Sequence, residues 1–227
     1  MPVMSLTVTT FPTGPLQANC YVAFDPKSHN ALIVDPGASC PKVLDYVKGQ
    51  NLKVLFILLT HTHFDHVFGT GYVVNELKRE DGKFGSPKIY SHASDIDHWK
   101  ANRMFAPLFG QSVPADFPVA PDETFDEKST FDLGNDNVFK IMHTPGHTPG
   151  SSLLYCNKAK VVFTGDTIFA DSIGRTDFPG GSSKQLKASV KRIYEELPGD
   201  FRIYPGHNHN VTLGESKEDV MNALSWI

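Results

Sequence analysis

THTHFDHVFGT, residues 60–70, places three histidines and an aspartate within six positions, directly after the apolar run VLFILLT at 54–60. That run is too continuously apolar for a half-exposed strand, which predicts a central strand over Val54–Thr60. In an extended segment alternate side chains share a side, so His61 and His63 project together. Asp65 and His66 follow where the chain turns into the next helix, expected over Val67–Lys78. Imidazole and carboxylate together suit zinc, iron or manganese, and not calcium. A lone histidine is usually structural, but four ligand-type groups in this order are poorly explained by chance.

Three later segments supply what a metal centre would still lack. HTPGHTPGSS carries His147 in a Pro/Gly-rich turn, VVFTGDTIF carries Asp166 after a strand at Val161–Thr164, and FRIYPGH carries His207 after a strand ending at Tyr204. Strand ends followed by loops are where rigid scaffolds carry binding residues. Together these positions give five histidines and two aspartates, and two metals bridged by one carboxylate would use all seven.

HTHFDH resembles the HxHxDH signature of the metallo-β-lactamase superfamily, with His147, Asp166 and His207 in its later motifs. The similarity runs from LQANCYVAF through IVDPGA to YPGH. GDTIFADSIGRTDFPGG and YPGHNHNVTLGE look most like the short glyoxalase II-type (hydroxyacylglutathione hydrolase) branch. The resemblance implies an α/β fold, an αββα sandwich of two mixed sheets flanked by helices, with the metals at one edge. It implies His61, His63 and His147 on one metal, Asp65, His66 and His207 on the other, and Asp166 bridging. The implied cofactors are two divalent ions, zinc foremost, with iron or manganese also suited. The implied reaction is hydrolysis of a thioester, such as S-D-lactoylglutathione, by metal-bound hydroxide that Asp65 helps to orient.

The chain departs from the long glyoxalase II pattern. Only 20 residues follow His207, so their helical glutathione-binding domain is not expected. Arg175 stands where they place a glutathione-binding lysine, and Asp177 and His209 stand where they place tyrosines. Arg175 is therefore a candidate to grip a substrate carboxylate, or else to pair with Asp177 and shape the loop. His209 is a second candidate for substrate contact. The main rival is a persulfide dioxygenase, which shares GRTDF and would hold one iron through His61, His147 and Asp166. YPGHNHNVTLGE ranks it second.

The rest of the chain bounds these readings. A length of 227 residues with 40% hydrophobic and 20% charged residues suits one soluble domain over 1–227. A net charge of −4 gives no basic footprint, so no nucleic-acid partner is expected; the partner is a small molecule, the protein a monomer or homodimer. Cys20, Cys40 and Cys156 form no CxxC pair, which predicts a reducing compartment, the cytoplasm. No secretory signal or membrane span is predicted.

Strands are expected at Met4–Thr10, Cys20–Phe24, Ala31–Asp35, Lys88–Ser91, Ser129–Leu133, Val138–Met142, Ser152–Cys156 and Arg202–Tyr204. Helices are expected from Pro41 and over Ser94–Arg103, Lys184–Glu195 and Lys217–Trp226. MFAPLFGQSVPADFPVAPDE, 104–123, reads as a long loop of the lid or binding kind. His143 reads as a hydrogen-bonding residue behind the ligands, His92 as a helix cap, His98 as a helix-surface residue and DETFDE as a solvated loop.

Overall fold

Along β2 (Ala18–Phe24) successive side chains take opposite sides, as the period of a strand demands. Cys20, Val22 and Phe24 enter one apolar layer, while Tyr21 and Ala23 enter another. The same division at Ile33 against Leu32 and Val34 repeats it in β3 (Asn30–Val34). In the computed structural model, which describes residues 5–227, this two-faced burial produces two sheets back to back.

The first sheet runs in chain order: β1 (Thr7–Thr13), β2, β3, β4 (Lys53–Leu58), β5 (Lys88–His92) and β6 (Glu123–Phe125). β1 to β3 pair antiparallel and β3 to β6 pair parallel. The second contains β7 (Thr130–Asp132), β8 (Val138–His143), β9 (Ser152–Cys156), β10 (Val161–Gly165), β11 (Arg202–Pro205) and β12 (Val211–Thr212), also in sequential order. Only β10 and β11 pair parallel there.

Between the sheets lie Tyr21, Leu58, Phe131, Phe139 and Phe163. Outside the first sheet pack Val43, Leu44 and Val47 of α1 (Pro41–Gly49), then Val73 and Leu77 from the Thr70–Lys78 helix, and Trp99. Outside the second, Leu186, Val190 and Ile193 of the Ser183–Glu196 helix join Val220 and Leu224 of the Leu213–Leu224 helix. The expected αββα sandwich of mixed sheets is what forms, with the Val54–Thr60 segment central in its sheet, between β3 and β5.

Several boundaries differ from the sequence expectation. The helix expected over Val67–Lys78 is two: α2 (Phe64–Val67) and α3 (Thr70–Lys78). Between them the Gly69 amide donates to the Pro36 carbonyl at 2.8 Å, and a Cβ there would lie 2.4 Å from the Ala38 oxygen. The close pass ends α2. β1 extends through Phe11 and Pro12, which an edge strand tolerates; Met4 lies outside the described residues. The helix expected near Ser94 becomes a 3₁₀ turn at Ala93–Asp95 followed by α4 (Ile96–Phe105), and a second 3₁₀ turn at Ala106–Phe109 occupies the start of the expected loop.

DETFDE is not a solvated loop. Its centre is edge strand β6, Asp122 accepts from the Ile89 amide at 2.8 Å, and Glu127 pairs with Arg192 at 2.5 Å. α5 (Ser183–Glu196) lies one residue outside expectation at each end. α6 (Leu213–Leu224) begins earlier than expected because Thr212 and Glu215 close a reciprocal cap. Among the described residues no helix is long and apolar enough to cross a membrane.

Candidate metal centre

Each of the seven side chains singled out above lies in the segment that follows the C-terminal end of a strand. His61 and His63 follow β4, Asp65 and His66 ride on α2, His147 sits between β8 and β9, Asp166 follows β10 and His207 follows β11. The first four come from one sheet and the last three from the other, and they meet at one edge of the sandwich. Close backbone approach requires glycine at that edge. Gly165 has φ +48° and a Cβ there would stand 2.3 Å from the Thr60 hydroxyl; a Cβ on Gly206 would stand 2.0 Å from Asp166 Oδ1.

The ligand-type atoms form two groups. Those of His61, His63 and His147 lie within 4.8 Å of one another, and so do those of Asp65, His66 and His207. Asp166 stands between them: its Oδ1 is 3.6 Å from His66 Nε2, and its Oδ2 is 3.7 Å from His147 Nε2 and 3.6 Å from His207 Nε2. Asp65 Oδ2 lies 3.4 Å from His207 Nε2 and 3.7 Å from His66 Nε2.

Hydrogen bonds from behind fix which ring nitrogen faces the centre. Thr60 donates its hydroxyl to Asp35 at 2.5 Å and lies 3.1 Å from His61 Nδ1. His66 Nδ1 donates to the same Asp35 oxygen at 3.2 Å, and His147 Nδ1 donates to the Arg175 carbonyl at 2.8 Å. His61 and His66 thus aim Nε2 inward, and both atoms are buried with no partner, as is Asp166 Oδ1. Buried polar atoms are rarely left unpaired. Three of them converging, with imidazole and carboxylate chemistry, fit a divalent cation.

The electrostatics agree. Burial pushes His61 and His63 well below the usual imidazole range, so both are neutral donors of a lone pair. Burial would also lower His66, but Asp65, Asp166 and Asp35 outweigh it and push it up to about 10. Burial would raise Asp65; His66, His63 and His207 instead hold it well below the usual carboxylate range. The carboxylates make this half of the site a place that demands positive charge.

Residues outside the sequence reading hold the loops. Asp35 belongs to the group Asp35, His61 and His66, but its oxygens are already engaged by the Thr60 amide, the Thr60 hydroxyl and His66, so it orients. Buried Asp95, just ahead of α4, accepts from the Thr62 amide at 3.0 Å, the Thr148 hydroxyl at 2.9 Å and the Gly150 amide at 2.6 Å. It ties the His61–His63 segment to the His147 turn. Asn102 donates to the Thr62 carbonyl at 2.6 Å. A lone Asp in SHASD carries no signal of partners fifty residues away.

A cleft of about 580 Å³ opens over the centre, lined by His63, Asp65, His147, Asp166 and His207 on its floor. Arg175 lines it too, but its guanidinium makes a bidentate pair with Asp177, 2.7 Å at each contact, and stacks 3.8 Å over the Phe178 ring. His209 is exposed and is not among the lining residues. His98, expected on the helix surface, lines the cleft, and its Nε2 donates to the Pro179 carbonyl at 2.7 Å, because the 173–181 loop folds over α4. His143 donates to the Pro149 carbonyl at 2.8 Å and stacks on His92, which caps the Ala93–Asp95 turn, as expected.

The family model described as the metallo-beta-lactamase superfamily matches residues 13–207. The hydroxyacylglutathione hydrolase GloC of Haemophilus influenzae is 32% identical over 212 residues, covering 93% of this chain and 95% of that protein. Among solved structures, the BLEG-1 B3 metallo-beta-lactamase superposes with a TM-score of 0.82 at 31% identity, over 96% of this chain and 99% of its own. TTHA1623 in a di-iron-bound form gives 0.80 at 32%, over 93% and 98%.

Proposed function

Because the chain belongs to the metallo-β-lactamase superfamily, we propose that it is a metal-dependent thioesterase whose seven converging side chains hold two divalent ions. The observation that carries this reading is the unpaired convergence of His61 Nε2, His66 Nε2 and Asp166 Oδ1 between two ligand groups. His61, His63 and His147 would hold one ion, and Asp65, His66 and His207 the other, with Asp166 shared. Ions held there would supply water ionised near neutral pH and would polarise a carbonyl oxygen. Zinc suits the donor set, and iron is also to be tested because the similar TTHA1623 has been solved in a di-iron-bound form.

The chain's own residues do the rest. Asp65 stays ionised and faces the centre beside His207, where its carboxylate can accept a hydrogen bond from the attacking water and hold that water in line. The oxygen of water bonds to the acyl carbon, the carbon–sulfur bond breaks, and the sulfur leaves as a thiol carrying a proton. Neither oxidant nor reductant is consumed. Similarity to GloC supports an acyl-glutathione thioester such as S-D-lactoylglutathione as substrate, and three free cysteines, two of them buried, support a cytoplasmic setting.

The test loads the protein with zinc, iron or manganese in turn and assays a lactoyl thioester, a β-lactam, structured RNA and oxygen uptake with glutathione persulfide. The thioester should be turned over with two ions per chain. Rapid oxygen consumption with one iron per chain would make it a dioxygenase. Arg175→Ala should cost less than about threefold in kcat/KM on acyl-glutathione, since exposed pairs are weak and the guanidinium already serves Asp177. A roughly tenfold or greater loss confined to glutathione thioesters, with a neutral thioester unaffected, would make Arg175 the carboxylate anchor.

A further inference from the structure

Resting on the thioesterase reading above, we infer that the cleft beside the metal centre is an acyl-group pocket selecting thioesters whose acyl chain is apolar and larger than lactoyl. Its wall is aromatic from the metal centre outward. The Phe178 ring lies 5.9 Å from that of His63, Phe109 lies 5.6 Å from Phe178, and Phe64 lies 5.8 Å from Phe109. Leu16, from the turn between β1 and β2, and Leu108 continue the wall to the mouth.

Three of these side chains are held open to water at that one mouth: Leu16 at 51% exposure, Phe109 at 49% and Leu108 at 76%. Single exposed apolar residues are ordinary, but a cluster rimming a cleft marks a surface that an apolar ligand covers. The polar groups of the wall are already engaged within the protein. His98 Nε2 serves the Pro179 carbonyl, the Asn102 amide serves the Thr62 carbonyl, and Arg175 is matched by Asp177. Above its floor the lining therefore carries no charge that is not already paired within the protein. A small hydroxylated acyl group would leave the aromatic wall wet.

Much of the wall comes from Phe105, Leu108 and Phe109, at the start of the Phe- and Pro-rich stretch that reads from sequence as a binding loop. The position of this segment assigns the choice of acyl group to it and leaves the chemistry to the floor.

Two series test this on the zinc-loaded 227-residue chain. In the first, S-alkyl-N-acetylcysteamine thioethers from methyl to hexyl, which are neutral and cannot be hydrolysed, are titrated by calorimetry. The dissociation constant should fall roughly two- to fourfold per added methylene. In Leu108→Ser/Phe109→Ser, altered only at exposed positions, the hexyl-to-methyl preference should drop by roughly tenfold or more. In the second series, kcat/KM for acetyl to hexanoyl thioesters should rise in parallel, with hexanoyl exceeding lactoyl. Affinity independent of chain length, or lactoyl preferred to hexanoyl, overturns the acyl pocket. Chain-length-dependent thioether binding with no thioester hydrolysed leaves the apolar preference standing and sinks the thioesterase reading.

Discussion

Asp166 is the residue on which both ligand groups depend. Its Oδ1 faces His66 and its Oδ2 faces both His147 and His207, so one carboxylate reaches members of both ligand groups. On the proposed assignment, Asp166→Ala would remove the negative charge between the two cations. Loss of a hydrogen-bond partner behind a ligand typically costs roughly 10–100-fold in metal affinity, and loss of a shared ligand should exceed that. Metal content by elemental analysis and thioester turnover should therefore fall together. Full occupancy by two ions in the variant would remove Asp166 from the bridging position. At this scale the sequence was informative, because HTHFDH, GD and YPGH put ligand-type residues at strand ends. It did not reveal Asp35, whose part depends on Thr60, His61 and His66 converging on one carboxylate.

Among the elements, α4 has a larger part than its amphipathic pattern suggests. Asp95, just ahead of its first turn, and Asn102 within the helix hold Thr62, Thr148 and Gly150, which belong to the two histidine-bearing loops. Burial raises the Asp95 carboxyl, and the donors from Thr148, Gly150 and Thr62 offset part of that cost. Asp95→Ala leaves those donors buried and unpaired, which should destabilise the fold by roughly 2–4 kcal/mol in urea unfolding and weaken metal binding. Asp97→Ala, on the exposed face of the same helix, should change neither; equal effects of the two substitutions would deny Asp95 its part. Strand and helix identities were legible wherever apolar periodicity ran for five residues or more, as in β2, β4 and α5. The short β7 was legible too, because Phe131 and Leu133 alternate with polar neighbours beyond its bounds; β6 and β12, three and two residues long, were not. Nor was the break at Gly69, which is set by the loop at Pro36–Ala38 passing against it.

For the molecule as a whole, imidazoles whose protonation burial opposes weaken the fold in acid, whereas His66, raised to about 10, does not. Burial, reinforced by His143 stacked 4.0 Å away, lowers His92 to about 4 from its usual 6.5. The unfolded chain then binds more protons than the folded one between those values, so stability is full above about pH 6.5 and is lost as pH falls through about 4. His61 and His63 act in the same direction. His92→Asn, which keeps an acceptor for the Ser94 amide, should flatten the fall in urea midpoint between pH 7 and 4.5. An unchanged slope would show that His92 does not titrate on unfolding. The division of the ligands between the sheets, with His61 to His66 on one and His147, Asp166 and His207 on the other, has a consequence in time. A chain emerging from the ribosome presents its first four ligands long before their counterparts exist. Neither proposed triad can close until the second sheet has formed, and the one needing His207 waits for β11. On the proposed assignment, uptake of the ions would be tied to completion of the fold, because neither ligand set is whole while the second sheet is still being made.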